Sequence, residues 1–312
     1  MKLLQISANP HIREEGNSAG IMRDVVIAML PTAIYGCLQW GFHSFLVVLL
    51  TTLAAVVTEY LYQKAMKLPV TISDWSAAVT GMILALNCPP NIPYWIPMVG
   101  SVFAILVVKQ LYGGLGANFM NPALAARCFL LISFASQMSS FTGVGPDAVA
   151  TATPLAVLKS TPTATPDLCD MFIGRIPGTI GEVSKICLLL GALYLIIRKV
   201  ISPKMPLIYI GTVAVFTFIF GKNGMSVHYL LSEVLGGGLI FGAFFMLTDY
   251  VTSPCTPMGQ IIFPVLVGIL TGLFRLFGGS AEGVSYAIIL SNILVPTINI
   301  LTVPKAFGRE GK

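Results

Sequence analysis

GAFFMLTDYVTSPCTPMGQIIFP at 242–264 decides the architecture. It starts as an apolar half-segment, stops at Thr248-Asp249, passes a polar stretch with Pro254 and Pro257, and resumes as an apolar run. A transmembrane helix needs about 20 mostly apolar residues, so the first part is short for a crossing. A break strands backbone amides and carbonyls for which hydrocarbon offers no partner. It is tolerated only when buried in protein or lining a polar cavity. The pattern occurs once before, in GMILALNCPPNIPYWIP at 81–97, where Pro89 and Pro90 make the break. Each break leads into a full apolar run, a glycine turn (Gly113, Gly114 and Gly116; Gly278, Gly279 and Gly283) and another apolar run. Those last runs are NFMNPALAARCFLL at 118–131 and VSYAIILSNILVP at 284–296, and the two sets lie 161 to 167 residues apart, about half the chain. Two broken elements at matching places point to a central ligand or ion site. The alternative is a pair of ordinary kinks and loops.

The rest of the composition agrees with lipid exposure. Of 312 residues 55 % are apolar and 10 % charged, against roughly 25 % charged in soluble domains. So few charges cannot cover a water-facing surface. The net charge of +5 is spread between apolar segments rather than gathered in a patch, so no nucleic acid is expected as a partner. Six cysteines occur without a CxxC pair, which argues against a zinc site or disulfide framework. His11, His43 and His228 are scattered and suggest no metal triad.

Apolar runs near 24–41, 43–63, 93–112, 122–138, 183–200, 206–221, 259–277 and 283–302 read as spans. The broken elements 75–88 and 229–247, the latter interrupted by Gly236, Gly237, Gly238 and Gly242, bring the total to ten. The expected fold is an all-α polytopic membrane protein of two inverted five-helix repeats. The first repeat takes 1–138, a long outward loop 139–181, and the second repeat 182–312. The polar first twenty residues show no cleavage motif, so the N-terminus is expected to be kept. With both termini cytoplasmic, twelve Lys and Arg fall inside and five outside (Lys159, Arg175, Lys185, Lys222 and Arg275), as the positive-inside rule requires. The first break then points outward and the second inward.

Charges at membrane depth are expensive and usually face the bundle interior. Glu233, just before the triple glycine, and Asp249, beside Thr248, Thr252 and Ser253, could bind a cation or orient a cofactor. Arg127 could meet a phosphate or pair with a carboxylate. Each could instead snorkel to the interface. Asn118 and Asn121 read first as helix caps.

Residues 147–155, DAVATATPL, are on their face only an extended or turn segment before Pro154. Together with SDWSAAVTGMILALNCPP at 73–90, GGLGANFMNPALAARCFL at 113–130 and GAFFMLTDYVTSPCTPMGQ at 242–260, however, they give the whole chain a resemblance. It resembles the D subunit of Rnf-type ion-translocating ferredoxin:NAD⁺ oxidoreductases and is similar to the B subunit of Na⁺-translocating NADH:quinone reductases. The resemblance implies FMN joined through its phosphate to a threonine hydroxyl by a separate flavin transferase. Asp147 would open the acceptor motif and Thr153 would carry the flavin. Ala150-Thr151-Ala152-Thr153 departs from the commonest Ser-Gly-Ala-Thr core, which leaves Thr151 as a second candidate. The resemblance also implies a non-covalent riboflavin near the broken helices and partner subunits of the A, B, C, E and G types.

The expected function is therefore a flavin-carrying subunit of a translocase in the bacterial inner membrane. It would relay electrons between reduced ferredoxin and NAD⁺ to drive Na⁺ or H⁺ export. The chain has no iron–sulfur cysteine pattern and no GxGxxG fingerprint, so it is not expected to bind ferredoxin or NAD⁺ itself. A stand-alone channel or secondary transporter for a small polar solute is the competing expectation, because broken helices suit that class equally.

Overall fold

A computed structural model describes residues 18–141, 152–161, 166–182, 184–221, 226–279 and 282–304. The described residues form helices and no strands. Five helices are long and apolar enough to cross a membrane. They are α1 (Ser18–Trp40), α2 (Phe42–Ala65), α4 (Trp95–Tyr112), α11 (Gly259–Phe277) and α12 (Val284–Leu301). Shorter apolar helices are α3 (Ser76–Leu86), α5 (Pro122–Ser133), α7 (Lys185–Ile197) and α8 (Lys204–Phe220). Helices α9 (Val227–Leu235) and α10 (Leu239–Met246) form one apolar element bent by 61°. A seven-residue helix, α6 (Pro154–Ser160), lies in the long connection. The chain is thus a multi-pass helical membrane protein.

Local chemistry explains where the helices start. Asn121 accepts from the backbone N–H of Ala123 (3.1 Å) and Leu124 (3.3 Å), and Pro122 supplies a first helical residue with no N–H to lose. Asn121 is therefore the cap expected. Asn118 instead donates to the Met120 carbonyl at 3.0 Å.

The order of elements repeats along the chain. Starts at 42, 76, 95 and 122 correspond to 204, 239, 259 and 284, offsets of 162–164 residues. Helix α5 packs against α12, and α1 against α7, so contacts run between the halves. Small residues set these distances, as is usual where lipid supplies no hydrophobic drive between helices. A Cβ at Gly191 of α7 would lie 2.1 Å from the Ala28 carbonyl oxygen of α1. Apolar side chains such as Leu38, Leu190, Leu207 and Ile300 stay exposed around the bundle, the belt that lipid would cover.

Three cations counted as loop charges in the sidedness argument are interior. Lys109, Lys185 and Arg275 are buried in ion clusters. Without them the asymmetry is eleven against three, and its direction is unchanged.

Candidate functional site

The first break and the α9–α10 bend are satisfied by different means. At the first, Asn87 folds back onto the Ile83 carbonyl (2.7 Å) and accepts from Arg127 Nη1 (2.8 Å). The stranded carbonyls of Leu86 and Cys88 accept from the backbone N–H of Gly181 (2.7 Å) and Ile180 (3.1 Å). The segment before α7 thereby completes the broken end of α3. His43 Nδ1 meets the Pro90 carbonyl at 2.8 Å; a carbonyl only accepts, so the proton sits on Nδ1.

At the α9–α10 bend, cations complete the backbone. Arg275 donates to the Glu233 carbonyl (2.5 Å), the Glu233 carboxylate (3.4 Å) and the Gly236 carbonyl (3.1 Å). Lys185 donates to the carbonyls of Glu182 and Gly237, the latter at 3.3 Å. Glu233, expected near a cation site with Asp249, is thus committed to Arg275. It falls in a different cluster from Asp249.

Arg127 does not snorkel. It is 4 % exposed, and besides Asn87 it binds Ser285 Oγ (3.0 Å) and Glu282 Oε2 (2.5 Å). Glu282 Oε1 and Glu182 Oε2 lie along the same turn, 3.0 Å and 3.4 Å from where Cβ atoms at Gly237 and Gly238 would stand. Arg127, Glu182, Lys185, Glu233, Arg275 and Glu282 therefore form one buried charge cluster around Gly236–Gly238. Sequence alone singles out Arg127 and Glu233. It misses Glu182 and Glu282 and treats Lys185 and Arg275 as loop charges. The available signal is their position at the ends of apolar runs in a chain with few charges.

Asp249 lies where α10 ends. Its carboxylate accepts from Val251 N–H (3.3 Å) and Thr252 Oγ1 (3.1 Å). Thr248 folds back onto the Phe244 carbonyl at 2.8 Å. Asn292 of α12, with its amide oriented by its partners, donates to the Thr252 carbonyl (3.2 Å) and accepts from Asn121 N–H (3.3 Å). The break opens into a small cavity of about 80 Å³, lined by Asp249, Thr248, Asn118, Asn121, Lys109 and apolar side chains of α1, α3 and α10. Lys109 is held by Glu59 (2.7 Å) and Ser76 (2.6 Å) at its edge.

Thr153 is the N-cap of α6, with extended backbone (φ −63°, ψ 153°) and Oγ1 accepting from Ala156 N–H at 3.3 Å. It is half-exposed, and Ala152 beside it is exposed. The opposite face of α6 is anchored. Leu155 and Leu158 are buried, and Leu155 fills the space over Gly236 and Gly237. Lys159 donates to the Gly278 carbonyl. The Thr153 helix therefore rests on the α9–α10 bend and its charge cluster. Asp147 and Thr151 lie outside the described residues. Among the described residues no group of three His, Cys, Asp or Glu could hold a metal ion.

A multi-pass helical bundle with a helix broken at a matching place in each half has an architecture that broken-helix membrane transport proteins also use. The sequence narrows this further. The pattern of the NQR2, RnfD, RnfE family matches residues 5–308, and the chain belongs to that family. It is 45 % identical to the D subunit of the Na⁺-translocating ferredoxin:NAD⁺ oxidoreductase complex of Acetobacterium woodii, over 98 % of this chain and 95 % of the relative. It is 42 % identical to the D subunit of the proton-translocating ferredoxin:NAD⁺ oxidoreductase complex of Clostridium ljungdahlii, over 98 % and 96 %. It is 31 % identical to the D subunit of the ion-translocating oxidoreductase complex of an Escherichia coli strain, over 99 % of both.

Proposed function

We propose that this chain is the D-type subunit of an Rnf-type translocase that couples electron transfer between reduced ferredoxin and NAD⁺ to export of Na⁺ or H⁺. It sits in the bacterial inner membrane with both termini cytoplasmic and 139–181 outside, as two inverted five-helix repeats. Its partners are the A-, B-, C-, E- and G-type subunits, and a flavin transferase matures it. The near-equal identity to relatives named for Na⁺ and for protons leaves both ions as substrates of the reading.

One observation carries the flavin assignment. Thr153 offers a half-exposed hydroxyl on extended backbone, beside exposed Ala152, on a helix whose other face is anchored. The residues fit a phosphoester. Among the described residues a weak cap bond is the hydrogen bond that engages Oγ1, and the esterified oxygen can still accept from Ala156 N–H. The mostly apolar lining of the cavity beside Asp249 suits a second, non-covalent flavin, riboflavin. Flavins supply one- and two-electron transfer when bound. This chain's own part is positional. Leu155, Leu158 and Lys159 fix the Thr153 helix on the α9–α10 bend, while Thr248, Asn118 and Asn121 edge the inner cavity. Asp249 gives that cavity a negative charge, to which a cation would be drawn.

Peptide mass spectrometry and in-gel fluorescence test the assignment, with wild type and Thr153→Ala each co-expressed with a flavin transferase. Wild type should carry one FMN on the 147–159 peptide and the variant none. Mass retained in the variant at Thr151 would move the site. No covalent flavin in wild type would favour the solute transporter.

A further inference from the structure

The buried ion pairs of this chain differ in completeness. In the Lys109 network Glu59 Oε2 holds Lys109 at 2.7 Å, Glu59 Oε1 accepts from Gln63 at 3.2 Å, and Ser76 donates to Asp74 at 2.6 Å. Both Glu59 oxygens are used, and the network reads as a structural tie. The Gly236–Gly238 cluster is not closed in this way. Glu182 is 4 % exposed, yet its Oε2 has no hydrogen-bond partner. That atom faces the open side of Gly238, where a Cβ would lie 3.4 Å from it and 3.8 Å from Arg127 Nη1. An unpaired buried carboxylate oxygen is costly.

The second irregularity is the neighbour. On the same Gly237–Gly238 turn lies another carboxyl, Glu282, whose Oε1 would be 3.0 Å from a Cβ at Gly237. Two ionised carboxylates buried around one turn repel each other. One proton held between them relieves that repulsion. The flanking cations are committed to other partners. Arg127 is bonded to Glu282 rather than to Glu182. Lys185 spends its contacts on the carbonyls of Glu182 and Gly237. Arg275 is engaged with Glu233 and Gly236.

We propose that Glu182 and Glu282 form a proton-binding pair that takes up and releases one proton at the α9–α10 bend. Glu282 is the water-side member, its side chain 21 % exposed, and Glu182 is the interior one. On uptake a proton from water reaches Glu282, an O–H bond forms, and the proton is shared with the Glu182 carboxylate. Release reverses this, and no electron moves. Both residues lie in connections between helices, and burial followed by the Glu282 charge pushes the Glu182 carboxyl up to about 8. The pair is separate from the Asp249 cavity, and its proton chemistry does not depend on a flavin at Thr153.

Infrared difference spectroscopy on the assembled complex tests this, comparing about pH 6 with about pH 9, a range above the ordinary carboxylate values. Wild type should lose a protonated-carboxyl C=O band as pH rises. Glu182→Gln should abolish that band, and Glu282→Gln should abolish it or shift its midpoint. Glu182→Asp keeps a carboxyl and guards against a Gln variant that fails to assemble; its band should persist with a moved midpoint. A band of unchanged size and midpoint in the assembled variants would overturn the proposal, as would no such band in wild type.

Discussion

Arg127 Nη2 donates to Glu282 Oε2 at 2.5 Å across 155 residues of sequence, tying α5 of the first half to the turn before α12 of the second. The same guanidinium holds Asn87 at the first break and Ser285 at the start of α12. One side chain thus completes a broken helix and joins the halves. A neutral residue there would leave Glu282 buried against Glu182 without its counter-charge.

Arg127→Met should cost about 3–5 kcal/mol, the usual effect of removing one member of a buried pair. Arg127→Met with Glu282→Met should cost less than the single change, because no uncompensated charge remains. Thermal unfolding of the purified protein in detergent reads both.

Asp249→Asn keeps an acceptor for Val251 N–H and Thr252 Oγ1, so the local turn should survive. If a cation is drawn to the cavity, ion transport should fall about tenfold, the equivalent of roughly 1.4 kcal/mol, while complex assembly is retained. Ion uptake into inverted vesicles, measured against assembled complex, checks this. Unchanged transport would remove Asp249 from the ion path.

A plain surface loop would tolerate Thr153→Ala within about 0.5 kcal/mol. As an N-cap, Thr153 contributes more, and its loss should cost about 1 kcal/mol locally. Hydrogen exchange at Ala156 N–H should accelerate in Thr153→Ala and stay slow in Thr153→Ser. Comparing the two separates loss of the cap from loss of a flavin.

Gly191→Val should weaken the α1–α7 contact by about 1–3 kcal/mol, an overpacking cost, because its Cβ would fall 2.1 Å from the Ala28 carbonyl oxygen. Gly211→Ala, on α8 with nothing within 4 Å of the added Cβ, should be neutral or stabilising by up to about 1 kcal/mol. The ratio of folded to aggregated protein on gel filtration after heating distinguishes them.

Native thiols can report the topology. Cys169 in the long connection and Cys255 at the second break are both exposed. In single-cysteine variants of intact cells, an impermeant maleimide should label Cys169 and spare Cys255. Labelling of both from one side would contradict the sidedness.

Composition and hydropathy alone determined that this chain is helical and faces lipid, and Pro89, Pro90, Pro254 and Pro257 located the breaks. Those properties are local: apolar length sets a span, and proline ends a helix whatever surrounds it. Asn121 was likewise legible as a cap, since its partners lie two and three residues away. Only the tertiary structure decided which charges meet. Glu182 and Glu282 sit in separate connections, and each alone looks like an ordinary residue at the end of an apolar run. Glu233 looked like a partner for Asp249 until Arg275, 42 residues on, was found against it. Hydrocarbon makes a stranded carbonyl or buried charge costly unless it finds a partner. Which partner it finds depends on how distant segments pack, and no local pattern carries that information.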